Sequence, residues 1–354
     1  MGGNAFPNLK DKILRLNTAE FASFQKEVLG RLRMMLDSNH LSRAIFSEII
    51  SYHTKPSFGD LDIIYTEFLE GCILPTPEEF KAALGAVDMV RNGPVTSFAV
   101  PCGFGLFQVD LIRVHFEEFD SAFSYFAYND LGNLLGRIFH RAGFKLGHSG
   151  MSYVIRDEQN SSHVAKEVIV TRSWKEALEF AGYDYERWVN GFDTLEDVFR
   201  YVVSVPTANR TIFRLDETNH QARVRDRKRK TYQLFLNWVN DPSNGIPDNE
   251  TIPKTVLRSQ WMTKAFERFP KFKEEYETAQ SQIQKVRAAR SKFNGDLVRQ
   301  ITGLEGKELG AFIADFVQNF IVGACHTNRE NWAITNSPEE IEIMIRHWHT
   351  SKSA

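Results

Sequence analysis

Cysteine is scarce in this chain: Cys72, Cys102 and Cys325 are the three among 354 residues. An odd number of widely spaced thiols builds neither a zinc knuckle nor a disulfide framework, which predicts inert thiols and a reducing compartment. No run of about 18 uninterrupted apolar residues occurs, so no membrane span is predicted. The opening MGGNAFPNLK lacks the apolar core of a secretory signal, and Phe6 stands where a myristoylation signal needs Ser or Thr. These absences predict an intracellular chain, cytoplasmic or nuclear, with no membrane partner. Internal repeats and low-complexity tracts are also missing. What remains is ordinary globular composition, 42% hydrophobic and 25% charged, over a length sufficient for two or three structural units.

Charge is nearly balanced overall, at −2, but unevenly spread. Residues 222–292 hold 16 Lys or Arg against 8 Asp or Glu, so the remainder is acidic. That asymmetry predicts a polyanionic partner on one side and acid put to use elsewhere. The stretch TAEFASFQKEVLGRLRMML has Phe21, Phe24, Val28 and Leu32 at helical spacing, with Thr18 as its cap. Short apolar runs follow: LDIIY at 61–65, SFAV at 97–100 and LFQVDLIRV at 106–114 predict strands. PTPEEFKAALGAVDMV predicts a helix between the first two, opened by Pro75 or Pro77. DLGNLLGRIFHRAG predicts a helix ended by Gly143, and HVAKEVIVT a further strand. Beyond about 173 the patterns are helical, broken by loops at 204–211 and 240–253.

The chemistry concentrates in Ser57-Phe58-Gly59-Asp60-Leu61-Asp62-Ile63-Ile64. Side chains alternate along a strand, so Asp60 and Asp62 share a face, with Leu61, Ile63 and Ile64 expected on the core side. Gly59 is expected to let the backbone turn just before them. Two adjacent carboxylates repel unless a cation lies between them, which suits Mg²⁺, a hard ion that takes oxygen ligands. A third acid, Asp110, sits mid-strand in Phe107-Gln108-Val109-Asp110-Leu111-Ile112. Binding the same metal pair is a sufficient reason for an Asp there.

SYHTKPSFGDLDIIYTE followed by FQVDLIRV resembles the palm of nucleotidyltransferases of the DNA polymerase beta superfamily. The strand, helix, strand, strand order with acids on the strands describes a small mixed-sheet palm, and with the largely helical C-terminal half it predicts an α+β fold, in keeping with the resemblance. The resemblance implies two Mg²⁺ ions (or Mn²⁺) on Asp60, Asp62 and Asp110, with Asp110 as base or base-orienting group for an attacking 3′-hydroxyl. It also implies a nucleoside triphosphate, such as ATP, as substrate. Ser124 to Asn133, then Arg137 and RAGFKL, resembles the nucleotide-receiving segment of family X polymerases. That resemblance assigns Tyr125 and Phe126 to the sugar, Asp130 and Asn133 to the base, and Arg137 to the base-pair groove. It spans roughly residues 44–188 and ends with TRSWKEALEFAGYDYERW. The implied organisation is 1–40, an N-terminal helical segment; 41–116, the palm; 117–190, a nucleotide-binding, thumb-like region; and 191–354, a helical, basic region that binds nucleic acid.

The sequence also departs from the family pattern. The phosphate-cradling Gly-Ser is replaced by Ile50-Ser51, leaving Ser51, Lys55 and Gly59 as nucleotide-binding candidates, with His53 as a further source of charge. Gln108 stands where a basic residue often precedes the third Asp, and Tyr128 where the aromatic motif has Gly. Lyase and hairpin-type DNA-binding modules are not recognisable, which argues against a standard repair polymerase. Arg223, Arg225, Arg227, Lys228, Arg229 and Lys230 form the densest basic run and are candidates for nucleic-acid phosphates; a solvated face is the alternative. KFNGDLVRQITGLEGKELGAFIADFVQNF resembles the C-terminal helical segment of tRNA CCA-adding enzymes through Gly303 and Gly306. Trp332, His347, Trp348 and His349 read as packing or surface residues. These features predict a transferase that moves a nucleoside monophosphate onto a nucleic-acid 3′-hydroxyl, with RNA or tRNA processing favoured over DNA. Three alternatives stay open: a template-directed polymerase, a transferase acting on a protein or small molecule, and a non-catalytic palm-fold binding protein.

Overall fold

Period-two alternation of apolar and polar residues sets up the central sheet. In the computed structural model, which describes residues 4–38, 44–67, 75–103, 105–156, 164–215, 220–248 and 252–353, the strands are β1 (Leu16–Asn17), β2 (Ala44–Glu48), β3 (Ser57–Phe58), β4 (Asp60–Glu67), β5 (Asp88–Asn92), β6 (Val95–Cys102), β7 (Gly105–Arg113), β8 (Phe144–Gly147), β9 (Gly150–Arg156) and β10 (Val164–Thr171). Cys72, His163 and the expected 40/41 boundary lie outside the described residues. Five strands form one mixed sheet in the order β2-β4-β7-β6-β5. The β4–β7 pair is parallel and its neighbours are antiparallel. β1 pairs with β3, and β8 with β9, each antiparallel.

The two faces of the sheet have different tasks. Leu61, Ile63, Tyr65, Phe98, Val100, Phe107, Val109 and Leu111 join one buried cluster. It is closed by α1 (Thr18–Ser38) through Phe24, Val28 and Leu32, and by α2 (Pro77–Leu84) through Phe80 and Leu84. Burying these side chains against two helices fixes which residues face away from them: Asp60, Asp62, Gln108 and Asp110. On that second face Ile64, Ile112 and Val114 pack with Ala122 of α3 (Phe119–Phe126). Ile64 therefore lies on the carboxylate side and not on the main core side, as period two requires after Ile63.

The remaining helices of the first unit are α4 (Leu131–Arg141), α5 (Trp174–Ala181), α6 (Tyr185–Asn190), α7 (Leu195–Val202), α8 (His220–Arg227), α9 (Lys230–Asn240) and α10 (Lys254–Arg268). The chain divides into two compact units, Met1–Ile155 with Ile169–Phe272, and Arg156–Val168 with Lys273–Ala354. α11 (Pro270–Lys292) runs into the second unit, whose own helices are α12 (Gly295–Thr302), α13 (Gly306–Asp315), α14 (Arg329–Thr335) and α15 (Pro338–Ser353), with a π-helical stretch at Phe316–Ala324. Its core gathers Phe293, Val298, Phe316, Ile321, Trp332, Ile341 and Ile345, so Trp332 is packing. The fold is α+β with a helical C-terminal half, as the sequence predicts. No single helix among the described residues is long and apolar enough to cross a membrane.

Local expectations fail where two signals overlap. PTPEEFKAALGAVDMV is a helix only as far as Leu84; Gly85 ends it at φ +63°, and Asp88–Asn92 is a strand. The helix opens on a capping box in which Thr76 and Glu79 bond reciprocally. Asn17, not Thr18, caps α1: its Oδ1 accepts from the Ala19 and Glu20 amides, while Thr18 Oγ1 donates to the Lys55 carbonyl. Strand β2 carries only half-buried residues, which weakens its sequence pattern.

One close approach fixes α4 against α3. A Cβ on Gly132 would meet the Tyr125 carbonyl oxygen at 2.2 Å and the Tyr125 ring at 2.7 Å. Helix propensity alone makes Gly→Ala stabilising by about 1 kcal/mol. We expect Gly132→Ala to destabilise instead, by about 3 kcal/mol, read as a lower urea midpoint at constant m-value; an unchanged or raised midpoint refutes the contact.

Candidate functional site

Strand register brings the three carboxylates together. Asp62 and Asp110 are direct partners across the parallel β4–β7 pair, and Asp60 sits opposite Gln108. Ligand oxygens from Asp60, Asp62 and Asp110 all lie within 4.8 Å of one another. Asp110 is only 9% exposed. Gln108, on the same face, donates its amide to both Asp110 oxygens at 3.0 and 2.9 Å. Ser97, the cross-strand partner of Asp110 on β6, adds a hydroxyl hydrogen bond to it. An amide in place of a basic residue at 108 thus orients the carboxylate without neutralising it. Gln108 is itself held, because its Oε1 accepts from the Ala5 amide at 3.0 Å.

Burial and mutual repulsion both oppose ionisation here. Burial raises the Asp60 carboxyl, with Lys55 and Arg15 pulling the other way. Burial also lifts Asp62 well above the usual carboxylate range, and the charges of Asp60 and Asp110 lift it further. Asp110 is pushed up to about 6 by burial, against the hydrogen bond from Ser97. Such a set is costly without a cation, and its all-oxygen donors suit hard divalent ions. The residues present therefore fit Mg²⁺ or Mn²⁺.

These acids line one wall of a cavity of about 590 Å³. Ser51, Lys55, Gly59, Phe126 and Asp130 line it too, together with Arg225, Lys228, Arg229 and Lys230. Lys55 Nζ donates to Ser51 Oγ at 3.1 Å and to Asn129 Oδ1 at 3.2 Å, and sits 4.6 Å over the Phe58 ring. Burial lowers the Lys55 pKa, opposed by Asp60 and Asp62. His53 lies elsewhere, its Nδ1 2.8 Å from Asp193 Oδ1. Gly59 joins β3 to β4 without a left-handed φ, so the turn expected of it does not depend on glycine's freedom.

The turn from α3 to α4 is unusual. Tyr128 and Asn129 both adopt left-handed backbone, at φ +56° and +64°. For a tyrosine this costs roughly 1–2 kcal/mol. The cost is offset by packing: the Tyr128 ring lies edge-on to Trp188 and Phe192, and its hydroxyl donates to the Trp188 carbonyl at 3.2 Å. The result delivers the Asn129 amide to Lys55.

Residues assigned to the nucleotide and to nucleic acid meet one another. Arg229 pairs with Asp130, and Arg225 Nη2 donates to Asn133 Oδ1 at 3.1 Å. Arg137 pairs with Asp226, a carboxylate with no exposure, which also accepts from Arg225 Nε at 3.0 Å. The polar side chains of α4 and its N-cap are therefore met by α8 and the α8–α9 turn, not left open. Tyr125, Asn133 and Arg137 do not line the cavity; Tyr125 stacks edge-on with Phe126 and Trp174. Arg223 and Arg227 do not line it either. Sequence reasoning missed Arg15, Phe21, Ser97 and Asn129. Arg15 lines the cavity and donates to Ser57 Oγ at 2.9 Å, but no motif marks it. Ser97 had a legible signal, being the one small polar side chain opening the SFAV strand.

The raised carboxyls link stability to pH. A group whose folded pKa exceeds its unfolded value stabilises fully below the unfolded value and loses that contribution as pH rises through the folded one. For Asp110 the window runs from 3.8 to about 6. Without divalent ions, Asp110→Asn should match wild type near pH 4 and exceed it by on the order of 2–3 kcal/mol at about pH 7.5. Mg²⁺ should raise the wild-type Tm more than that of the variant. Thermal unfolding across this range tests it; a pH-independent difference between the two proteins sinks the coupling.

No family model matches the chain, and no curated protein matches it. Among solved structures it is similar to Leishmania infantum polymerase beta in a ternary P/T complex, at 16% identity and a TM-score of 0.38, over 52% of this chain and 79% of that one. A likeness of that size leaves the reading of the site to the site's own geometry.

Proposed function

We propose that this chain is a divalent-metal-dependent nucleotidyltransferase that moves a nucleoside monophosphate from a nucleoside triphosphate to a 3′-hydroxyl of a nucleic acid, releasing pyrophosphate. The observation that carries this reading is the clustering of Asp60, Asp62 and Asp110 within 4.8 Å on adjacent strands, in a cavity whose other wall is cationic. Asp60 and Asp62 would hold both ions, and Asp110 one of them. Bound there, the ions would lower the pKa of the attacking hydroxyl and offset charge on the triphosphate and its leaving group. Asp110, its carboxylate oriented by Gln108 and Ser97, is the group suited to accept or orient the proton of the acceptor hydroxyl. Lys55, steadied by Ser51 and Asn129, adds positive charge beside Asp60 and Asp62.

The pairing of Asn133 and Arg137 with α8, and of Asp130 with Arg229 of the α8–α9 turn, favours transfer without a template, since a template-directed reading needs those side chains free to meet a base pair. The preference for RNA or tRNA as acceptor rests on the Gly303 and Gly306 resemblance. Both glycines have a local role at helix ends, Gly303 closing α12 at φ +72° and Gly306 opening α13.

The test incubates the protein with each labelled NTP or dNTP, Mg²⁺, and tRNA, single-stranded RNA or primed DNA. We expect extension of an RNA 3′ end and a loss of about 10³-fold in Asp110→Ala. Equal transfer by that variant, or no transfer to any acceptor, overturns the assignment.

A further inference from the structure

The basic run splits by direction. Arg225 of α8, Lys228 and Arg229 of the α8–α9 turn and Lys230 of α9 line the cavity that holds the carboxylates, whereas Arg223 and Arg227 of α8 do not. The inward set is held in place from α4: Arg229 on Asp130, Arg225 on Asn133, and Asp226, fully buried, between Arg137 and Arg225. Gln233 Nε2 ties the same point from α9 by donating to the Asp226 carbonyl at 3.1 Å. A solvated charge run has no need of a buried carboxylate as its anchor. Arg225 and Arg229 spend part of their donors on these contacts. Lys228 and Lys230 pair with no carboxylate among the described residues. Their charge is presented to the cavity uncompensated.

The cavity thus has acid on the β4–β7 side and free cationic charge on the α8–α9 side. A ligand that satisfies both must be polyanionic and must also bring or share cations with the acids. The volume of about 590 Å³ suits a nucleotide-sized ligand and not the width of a duplex. Outside this run the cationic side chains lining the cavity are Arg15, which donates to Ser57, and Lys55, which donates to Ser51 and Asn129.

We infer that Lys228 and Lys230, at the α8–α9 junction, are the polyphosphate-binding residues of this cavity, with Asp226 as the positioning residue that aims the junction inward. The inference rests on the nucleotide reading above and names where the phosphate chain is held. Lys228 and Lys230 substitute for the incomplete cradle by donating directly to phosphate oxygens, and the chain therefore grips the polyphosphate from a segment far along the sequence.

The test titrates the full chain with inorganic tripolyphosphate, comparing two variants that remove the same charge, Lys228→Gln/Lys230→Gln and Arg223→Gln/Arg227→Gln. All four positions are solvent-accessible enough that folding is not at stake, and circular dichroism confirms it. The first pair should weaken binding at least about ten-fold, and the second, which does not line the cavity, by less than about two-fold. Equal weakening by both means a diffuse charge effect and overturns the proposal. So does no weakening by the first pair, or no measurable binding by wild type. A parallel titration with a single-stranded oligonucleotide separates the acceptor: if the first pair weakens the oligonucleotide and spares tripolyphosphate, the lysines serve nucleic acid and the proposal fails. Failure of nucleotide transfer with tripolyphosphate selectivity intact would sink the catalytic reading while leaving this site in place.

Discussion

Three carboxylates crowded side by side, Asp110 buried and Asp60 and Asp62 half-buried, are the constraint on which the first unit depends. Like charges at that separation in a poorly solvated place are unfavourable, and nothing in their own β4–β7 backbone relieves them. The surrounding structure answers with hydrogen bonds from Gln108 and Ser97, a half-buried Lys55, and a cavity open to cations. The other sheet face is what makes this tolerable. Phe107, Val109 and Leu111 are committed to a fully apolar core with α1 and α2, so β7 cannot slip by one residue without burying Gln108 and Asp110 among aromatics. The core therefore fixes the register, and the register places the acids.

The same logic explains the supports. The Ala5 amide holds Gln108 from the chain's first described residues, and Phe6 anchors that segment against Ala99 and Leu106. On the far side of the cavity the left-handed Tyr128–Asn129 turn accepts strain to bring an amide to Lys55. The α4–α8 contact is not fully satisfied: Asn133 Nδ2 and Arg137 Nε are buried without a hydrogen-bond partner among the described residues. Buried unpaired donors weaken a contact, so this junction is less firmly made than the sheet.

Much of the sheet was legible in the sequence because alternation is a local signal. Asp60 and Asp62 could be placed on one face by alternation, Asp110 was joined to them through the metal reading, and the α+β class followed from the order of strands and helices. Strand β2 was not legible because its side chains are all half-buried, and β5 was hidden behind a helix whose stop, Gly85, comes before it. The α4–α8 pairing leaves no local trace, since Asn133 and Arg225 are 92 residues apart. A basic run shows only that charge is dense. Which four of its six cations point inward depends on where Asp226 is buried, and a lone Asp within Arg and Lys reads as ordinary surface.

That separation along the chain has a consequence for biosynthesis. Asp130 and Arg229 are 99 residues apart, and the acids on β4 and β7 precede both. A nascent chain emerging from its N-terminus completes the acidic wall well before any of the cationic wall exists. Until α8 and the turn that follows it dock, Asp130 and Arg137 lack the partners described above. The maturing polypeptide thus passes through a stage with an acidic wall and nothing from α8 or α9 opposite it.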